Sequence, residues 1–130
     1  MPGLHHVEIW LADARLLGTS WRWLLTEVGF EQVQSWPGGA SWAAGGTYLT
    51  LTTSPNLSAP AHDRRRPGVN HIAFRVGDRA ALDSLMHGAA EQGWSPLYSE
   101  RYPYAGGPDH CAGWLEDARG FKVEVVADEH

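Results

Sequence analysis

Three side chains in this chain have the chemistry and the placement to hold a divalent metal: His6, His71 and Glu124. The two histidines sit in copies of one phrase. Gly3-Leu4-His5-His6-Val7-Glu8-Ile9 returns 65 positions later as Gly68-Val69-Asn70-His71-Ile72-Ala73-Phe74, and an aspartate follows each histidine by seven residues, Asp13 and Asp78. A duplicated unit places its equivalent residues symmetrically near the axis relating the copies, so two such imidazoles are the start of a metal site. Adding one carboxylate gives borderline nitrogen donors and a single negative charge. That set suits Fe2+, Mn2+, Ni2+ or Zn2+ and leaves positions open for water, substrate or dioxygen.

The elements that position these residues follow from periodicity. Residues 4–11 alternate, with Val7, Ile9 and Leu11 on one face and Leu4, His6, Glu8 and Trp10 on the other, the pattern of a strand. Asp13 reads as the N-cap of a helix carrying Leu17, Trp21, Leu24 and Val28, stopped at Gly29. Strands are expected over 30–36, 41–44 and 47–53, separated by Pro37-Gly38-Gly39 and Gly45-Gly46. The second half repeats the order: a strand over 69–76, a helix capped by Asp78 with Leu82, Leu85, Met86 and Ala89 on one side, a stop at Gly93, and strands over 94–98, 111–116 and 121–127. Residues 55–67 link the halves, and 99–109 read as a loop over a site.

Aligned through Gly46 and Gly120, the last strands put Tyr48, Thr50 and Thr52 in the places of Lys122, Glu124 and Val126. The face opposite the core then gathers His6, His71 and Glu124, with the Thr50 hydroxyl at the fourth symmetric place. The carboxylate is present in the second half alone.

A length of 130 residues suits one domain, made of a module at about 3–54 and another at about 68–128. A net charge of −5 argues against nucleic acid or an anionic membrane surface as partner. The single cysteine, Cys111, excludes an intrachain disulfide and a cysteine-based zinc cluster. No apolar run is long enough to span a bilayer and no secretion-signal layout opens the chain, so a cytoplasmic protein is expected. Seven tryptophans exceed what one small core hides, so some should line a surface or pocket. Arg64-Arg65-Arg66 reads as a solvated linker face, His5 as pointing away from His6, His87 as exposed and Cys111 as a packing residue.

On the motifs His6-Val7-x-Ile9-x-Leu11-x-Asp13, its repeat His71-Ile72-x-Phe74-x-Val76-x-Asp78, and Asp117-x-x-Gly120-x-x-Val123-Glu124, the chain resembles the vicinal oxygen chelate superfamily over nearly its whole length. That superfamily includes glyoxalase I, extradiol dioxygenases, fosfomycin-thiol transferases, methylmalonyl-CoA epimerases and bleomycin-binding proteins. The resemblance implies an α+β fold of two tandem βαβββ modules, a mixed sheet curled around a central cleft, with metal ligands at His6, His71 and Glu124. It also implies a homodimer. In some members the modules sharing a metal come from one chain and in others from two, so the resemblance leaves open which chain's His6 joins His71 and Glu124. Two departures stand out. Glyoxalase I commonly has a glutamate ligand where this chain has Thr50, and the usual Asp-Pro-Asp-Gly turn reads Asp117-Ala118-Arg119-Gly120.

Four functions fit these residues. A dioxygenase would use the three ligands and an open side, with His110 as acid–base group. A lyase, isomerase or transferase would use the metal as a Lewis acid, with Glu8, Tyr48 or Lys122 moving protons. A metal-independent binder would sequester a drug or natural product between Trp10, Trp36, Trp42, Tyr102 and Tyr104. The fourth reading is a structural or vestigial metal site. In each of the first three the ligand is a small oxygenated or aromatic molecule, with Thr50 and Lys122 among the residues lining its site.

Overall fold

A computed structural model describes residues 2–128. The first module contains β1 (His6–Trp10), α1 (Arg15–Gly18), α2 (Ser20–Glu27), β2 (Glu31–Trp36), β3 (Gly39–Ala44) and β4 (Thr47–Thr52). Its sheet has the order β1-β4-β3-β2, with β1 parallel to β4 and the remaining pairs antiparallel. The second contains β5 (His71–Gly77), α3 (Arg79–Ala89), β6 (Ser95–Leu97), β7 (Ala112–Glu116) and β8 (Lys122–Ala127), in the order β5-β8-β7-β6 with β5 parallel to β8. Each module is βαβββ with a four-stranded mixed sheet, the α+β class expected from the sequence.

The chain divides into two compact units between Ala61 and His62. In the first, Ile9, Leu11, Leu49 and Leu51 are buried, as are Trp21, Leu24 and Leu25 of α2. In the second, Phe74, Val123, Val125 and Leu115 are buried with Leu82, Leu85 and Ala89 of α3. Period-two strands and a 3.6-period helix thus each supply one apolar face, which is why the core positions were readable.

The first helix departs from expectation. Asp13 is not the N-cap; the helix begins after Ala14, and Asp13 Oδ1 accepts the Arg15 backbone N–H at 2.9 Å from one position further out. The helix is also two pieces, broken at Thr19 (φ −123°, ψ −98°). Gly18 and Thr19 are both weak helix formers, and the Thr19 hydroxyl donates to the Arg15 carbonyl at 2.8 Å. Asp78, in contrast, caps α3 as expected and accepts the Ala81 N–H at 2.9 Å. The third strand starts two residues early, at Gly39, because Pro37-Gly38 alone makes the turn, with Gly38 at φ +90°. The sixth expected strand is short: it ends at Leu97, since Tyr98 adopts φ +58°.

Part of the expected linker belongs to the second unit. The His62 N–H donates to the Arg119 carbonyl at 2.9 Å, its Nε2 lies 3.0 Å from the Val69 carbonyl, and its ring lies 4.8 Å from that of Phe121. Arg64 is not on a solvated face; it pairs with Glu116. Among the described residues, no helix is long and apolar enough to cross a membrane.

Candidate functional site

The second unit brings His71 and Glu124 together through sheet register. Parallel pairing sets His71 opposite Lys122 and Ala73 opposite Glu124, while β7 sets Trp114 opposite Glu124 on the other side. Residues directly opposite share a face, so His71, Lys122, Glu124 and Trp114 all stand on the side away from Val123, Val125 and Leu115. The turn delivering β8 is held by Asp117, whose Oδ1 accepts the N–H groups of Arg119 and Phe121, each at 2.9 Å. The changed second and third residues of that turn leave this frame in place.

Glu124 is 4% exposed, and both of its oxygens are engaged: Oε1 lies 3.2 Å from His71 Nε2, and Oε2 bonds His110 Nε2. His110 comes from the loop before β7. On its other side, His71 Nδ1 is 2.7 Å from Asn70 Oδ1, and the Asn70 amide nitrogen donates to the Arg64 carbonyl at 3.1 Å. That second bond fixes the orientation of the Asn70 amide, so its oxygen accepts and His71 Nδ1 is the donor. A neutral His71 then has a bare lone pair at Nε2, facing a carboxylate oxygen. Two lone pairs in apposition require a cation between them, either a proton or a metal ion. Their separation of 3.2 Å is short enough for one divalent ion to take both as donors. The residues of this unit therefore fit part of a divalent-metal donor set. Among the described residues, no three His, Cys, Asp or Glu side chains stand as a group that could hold a metal ion without rearrangement. Metal binding would displace at least one of the two imidazole contacts on Glu124.

Beside this pair lies a cluster the sequence reading named only in part. Lys122 is 8% exposed; its Nζ donates to Tyr98 Oη at 2.9 Å and lies 4.7 Å from the Trp114 ring centroid and 5.0 Å from that of Tyr98. The Trp114 ring also meets His71 edge-on at 5.0 Å. The hydrogen bond from Lys122 holds the Tyr98 phenol below its usual range, and burial opposes that shift. Sequence reasoning missed both aromatics. Trp114 was detectable, since strand alternation sets it level with Glu124. Tyr98 was not, because its placement depends on a left-handed backbone conformation that no local pattern signals.

The first unit carries its own polar face. His6, Glu8 and Trp10 stand opposite Tyr48, Thr50 and Thr52 in parallel register. The His6 ring stacks on Tyr48 at 4.7 Å between centroids and 4° between planes. Its Nδ1 is 2.8 Å from His5 Nδ1, which corrects the expectation that His5 turns away: β1 begins at His6, so alternation does not govern His5. Nε2 is then the His6 nitrogen left for a ligand. Glu8 accepts from Trp10 Nε1 at 2.7 Å, and Trp10 remains 44% exposed. Thr50 is buried with its hydroxyl 2.9 Å from Ser41 Oγ. Trp36 lies over Gly39, where a side chain would collide with its indole, and its Nε1 reaches Thr52 Oγ1 at 3.4 Å.

Two expected ligand walls are otherwise employed. Trp42 is buried at 4% exposure, opposite Leu49 on the core side, so it is a packing residue; the alternation of β3 puts Ser41 on the polar face instead. Tyr102 is tied to α3: its hydroxyl donates to Asp83 Oδ1 at 2.6 Å, and Arg79 lies over its ring at 5.9 Å. Burial and the Asp83 bond push that phenol well above its usual range. Tyr104 is exposed.

No protein-family model matches the chain. It is 34% identical over 125 residues to the uncharacterized protein YqjT of Bacillus subtilis, covering 95% of this chain and 98% of that one. The crystal structure of a candidate glyoxalase from Bacillus halodurans superposes with a TM-score of 0.84 at 41% identity, covering 95% of this chain and 94% of that one. A glyoxalase/bleomycin resistance protein from Albidiferax ferrireducens shares the fold, with a TM-score of 0.74 at 17% identity over 95% and 97% of the two chains.

Proposed function

This chain belongs to the vicinal oxygen chelate superfamily, and from that premise we propose that it is a divalent-metal-dependent enzyme acting on a small oxygenated or aromatic molecule. Members of the superfamily commonly use divalent metals. The observation that carries the reading is the apposition of His71 Nε2 and the buried Glu124 Oε1 at 3.2 Å, with Asn70 fixing the other face of the ring. The third ligand, His6, is carried over from the sequence match alone. A bound cation would supply Lewis acidity and open coordination positions.

The chain's own groups supply the rest. Glu124 neutralises charge and is oriented by its bond to His110. His110, already bonded to Glu124, is the group proposed to accept or donate a proton at the substrate. Glu8 and Tyr48 are further candidates for moving protons. Thr50 gives its rung no carboxylate on β4 and is bonded to Ser41, which weighs against glyoxalase I chemistry and toward dioxygenase, lyase or transferase chemistry. The protein is also proposed to be a homodimer, as the family resemblance implies.

A second reading, a metal-independent binder of flat molecules, draws support from Trp10, which is exposed on the same face as His6. Metal analysis of the full chain purified without chelator separates the two. The enzyme reading expects close to one divalent ion per chain, loss of it in His71→Ala and retention in His87→Ala. Less than about a tenth of an ion per chain, with no thermal stabilisation on adding iron, manganese, nickel or zinc, would sink it. If metal is present, oxygen uptake with catechols separates a dioxygenase from a lyase or transferase.

A further inference from the structure

We propose that Lys122 and Tyr98 form a docking point for a carboxylate, which makes the substrate a compact 2-oxygenated carboxylic acid. The inference rests on the metalloenzyme reading for where the other substrate oxygens go. The anion point stands on the surroundings of Lys122 itself.

An ammonium group has three protons to donate, and at Lys122 the Tyr98 oxygen takes one. The nearest carboxylates along the sheet are committed elsewhere. Glu116, directly opposite Lys122 in β7, pairs with Arg64, and Glu124 is held by His71 and His110. One aromatic face, that of Trp114, partly compensates the charge. Among the described residues no carboxylate pairs with Lys122, and a cation buried to this degree is costly unless an anion completes its shell.

Tyr98 points to the same ligand. Its oxygen accepts from Lys122 Nζ, so its own O–H is left to donate to an incoming anion. A non-glycine residue at φ +58°, ψ +34° is uncommon, and such conformations concentrate where a side chain must be aimed. The pair also breaks the repeat. The residue opposite His6 is Tyr48, which stacks on it, whereas the residue opposite His71 is a buried lysine. Adjacent strands lie about 4.8 Å apart, so Lys122 and His71 stand one strand spacing apart. One or two carbons between the carboxylate and the neighbouring oxygen would cover that spacing.

The test is titration of the full chain with lactate and with its neutral amide, lactamide, followed by calorimetry and tryptophan fluorescence in chelator-treated and zinc-supplemented protein. Lactate is expected to bind at least about tenfold more tightly than lactamide. Lys122→Met should remove that preference and change lactamide affinity by less than about threefold, Lys122→Arg should restore lactate affinity to within about threefold, and Tyr98→Phe should weaken lactate alone. Equal affinities for the two probes, no binding at millimolar lactate, or a preference unchanged in Lys122→Met would overturn the proposal. Zinc retention measured on the same samples keeps the two readings apart. Zinc retained without a lactate preference removes the anion point alone, and a lactate preference without zinc retention upholds it while removing the metal site.

Discussion

At the scale of single residues, the candidate site depends on which nitrogen of His71 carries its proton. Asn70 decides this: its oxygen takes the Nδ1 proton because its nitrogen is already committed to the Arg64 carbonyl. Partners that orient a ligating imidazole typically contribute about 10–100-fold to metal affinity. Asn70→Ala is therefore expected to weaken zinc binding by about that factor with little change in the fold, and competition with a chromophoric chelator measures it. His71 and Glu124 were legible from alternation, because a strand's side chains have a period of two and any residue in register inherits a face. Asn70's role was not, since it depends on a bond to a carbonyl six positions earlier in the chain. The lysine beside the pair was legible as a face residue, but its burial and its tyrosine partner were not.

At the scale of elements, the two modules resemble each other most in their sheets and least in their helices. The repeat places an aspartate seven residues after each histidine, yet Asp78 caps α3 while Asp13 sits one position outside the cap of α1 and folds back on the Arg15 guanidinium. Asp78→Ala is expected to cost about 1 kcal/mol, the usual worth of a side-chain cap, read as a shift in the urea midpoint at constant slope. The sheets were predictable to within a residue or two because β-branched and aromatic alternation is bounded by glycine turns. The break at Thr19 was not, because the apolar spacing of Leu17, Trp21 and Leu24 continues straight through it. Periodicity reports which face is buried and carries no information about one residue stepping out of helical dihedrals.

For the molecule as a whole, stability should bend at both ends of the pH scale through one contact, that of Tyr102 with Asp83. The Tyr102 hydrogen bond, followed by the bond from Arg79, holds the Asp83 carboxyl below its ordinary value. Its contribution is present above about pH 4 and is lost as pH falls through the lowered folded value. Burial, followed by the Asp83 bond, holds the Tyr102 phenol above its ordinary value, so that contribution is present below about pH 10 and is lost as pH rises further. Asp83→Asn should flatten the acid limb and weaken the alkaline one in urea midpoints collected across the pH range. The tethering of His62 to the β7–β8 turn has a different consequence, one of cleavage. Residues 55–61 are mostly exposed, whereas the His62 N–H is bonded to the Arg119 carbonyl, the Arg64 side chain to Glu116 and the Arg64 carbonyl to the Asn70 amide. A protease must draw several residues into extended form before it can cut, so a broad-specificity enzyme should nick the chain first within 55–61. The three consecutive arginines, an apparent target for trypsin, should be cut later than their composition suggests, and mass spectrometry of the early fragments reads the order directly.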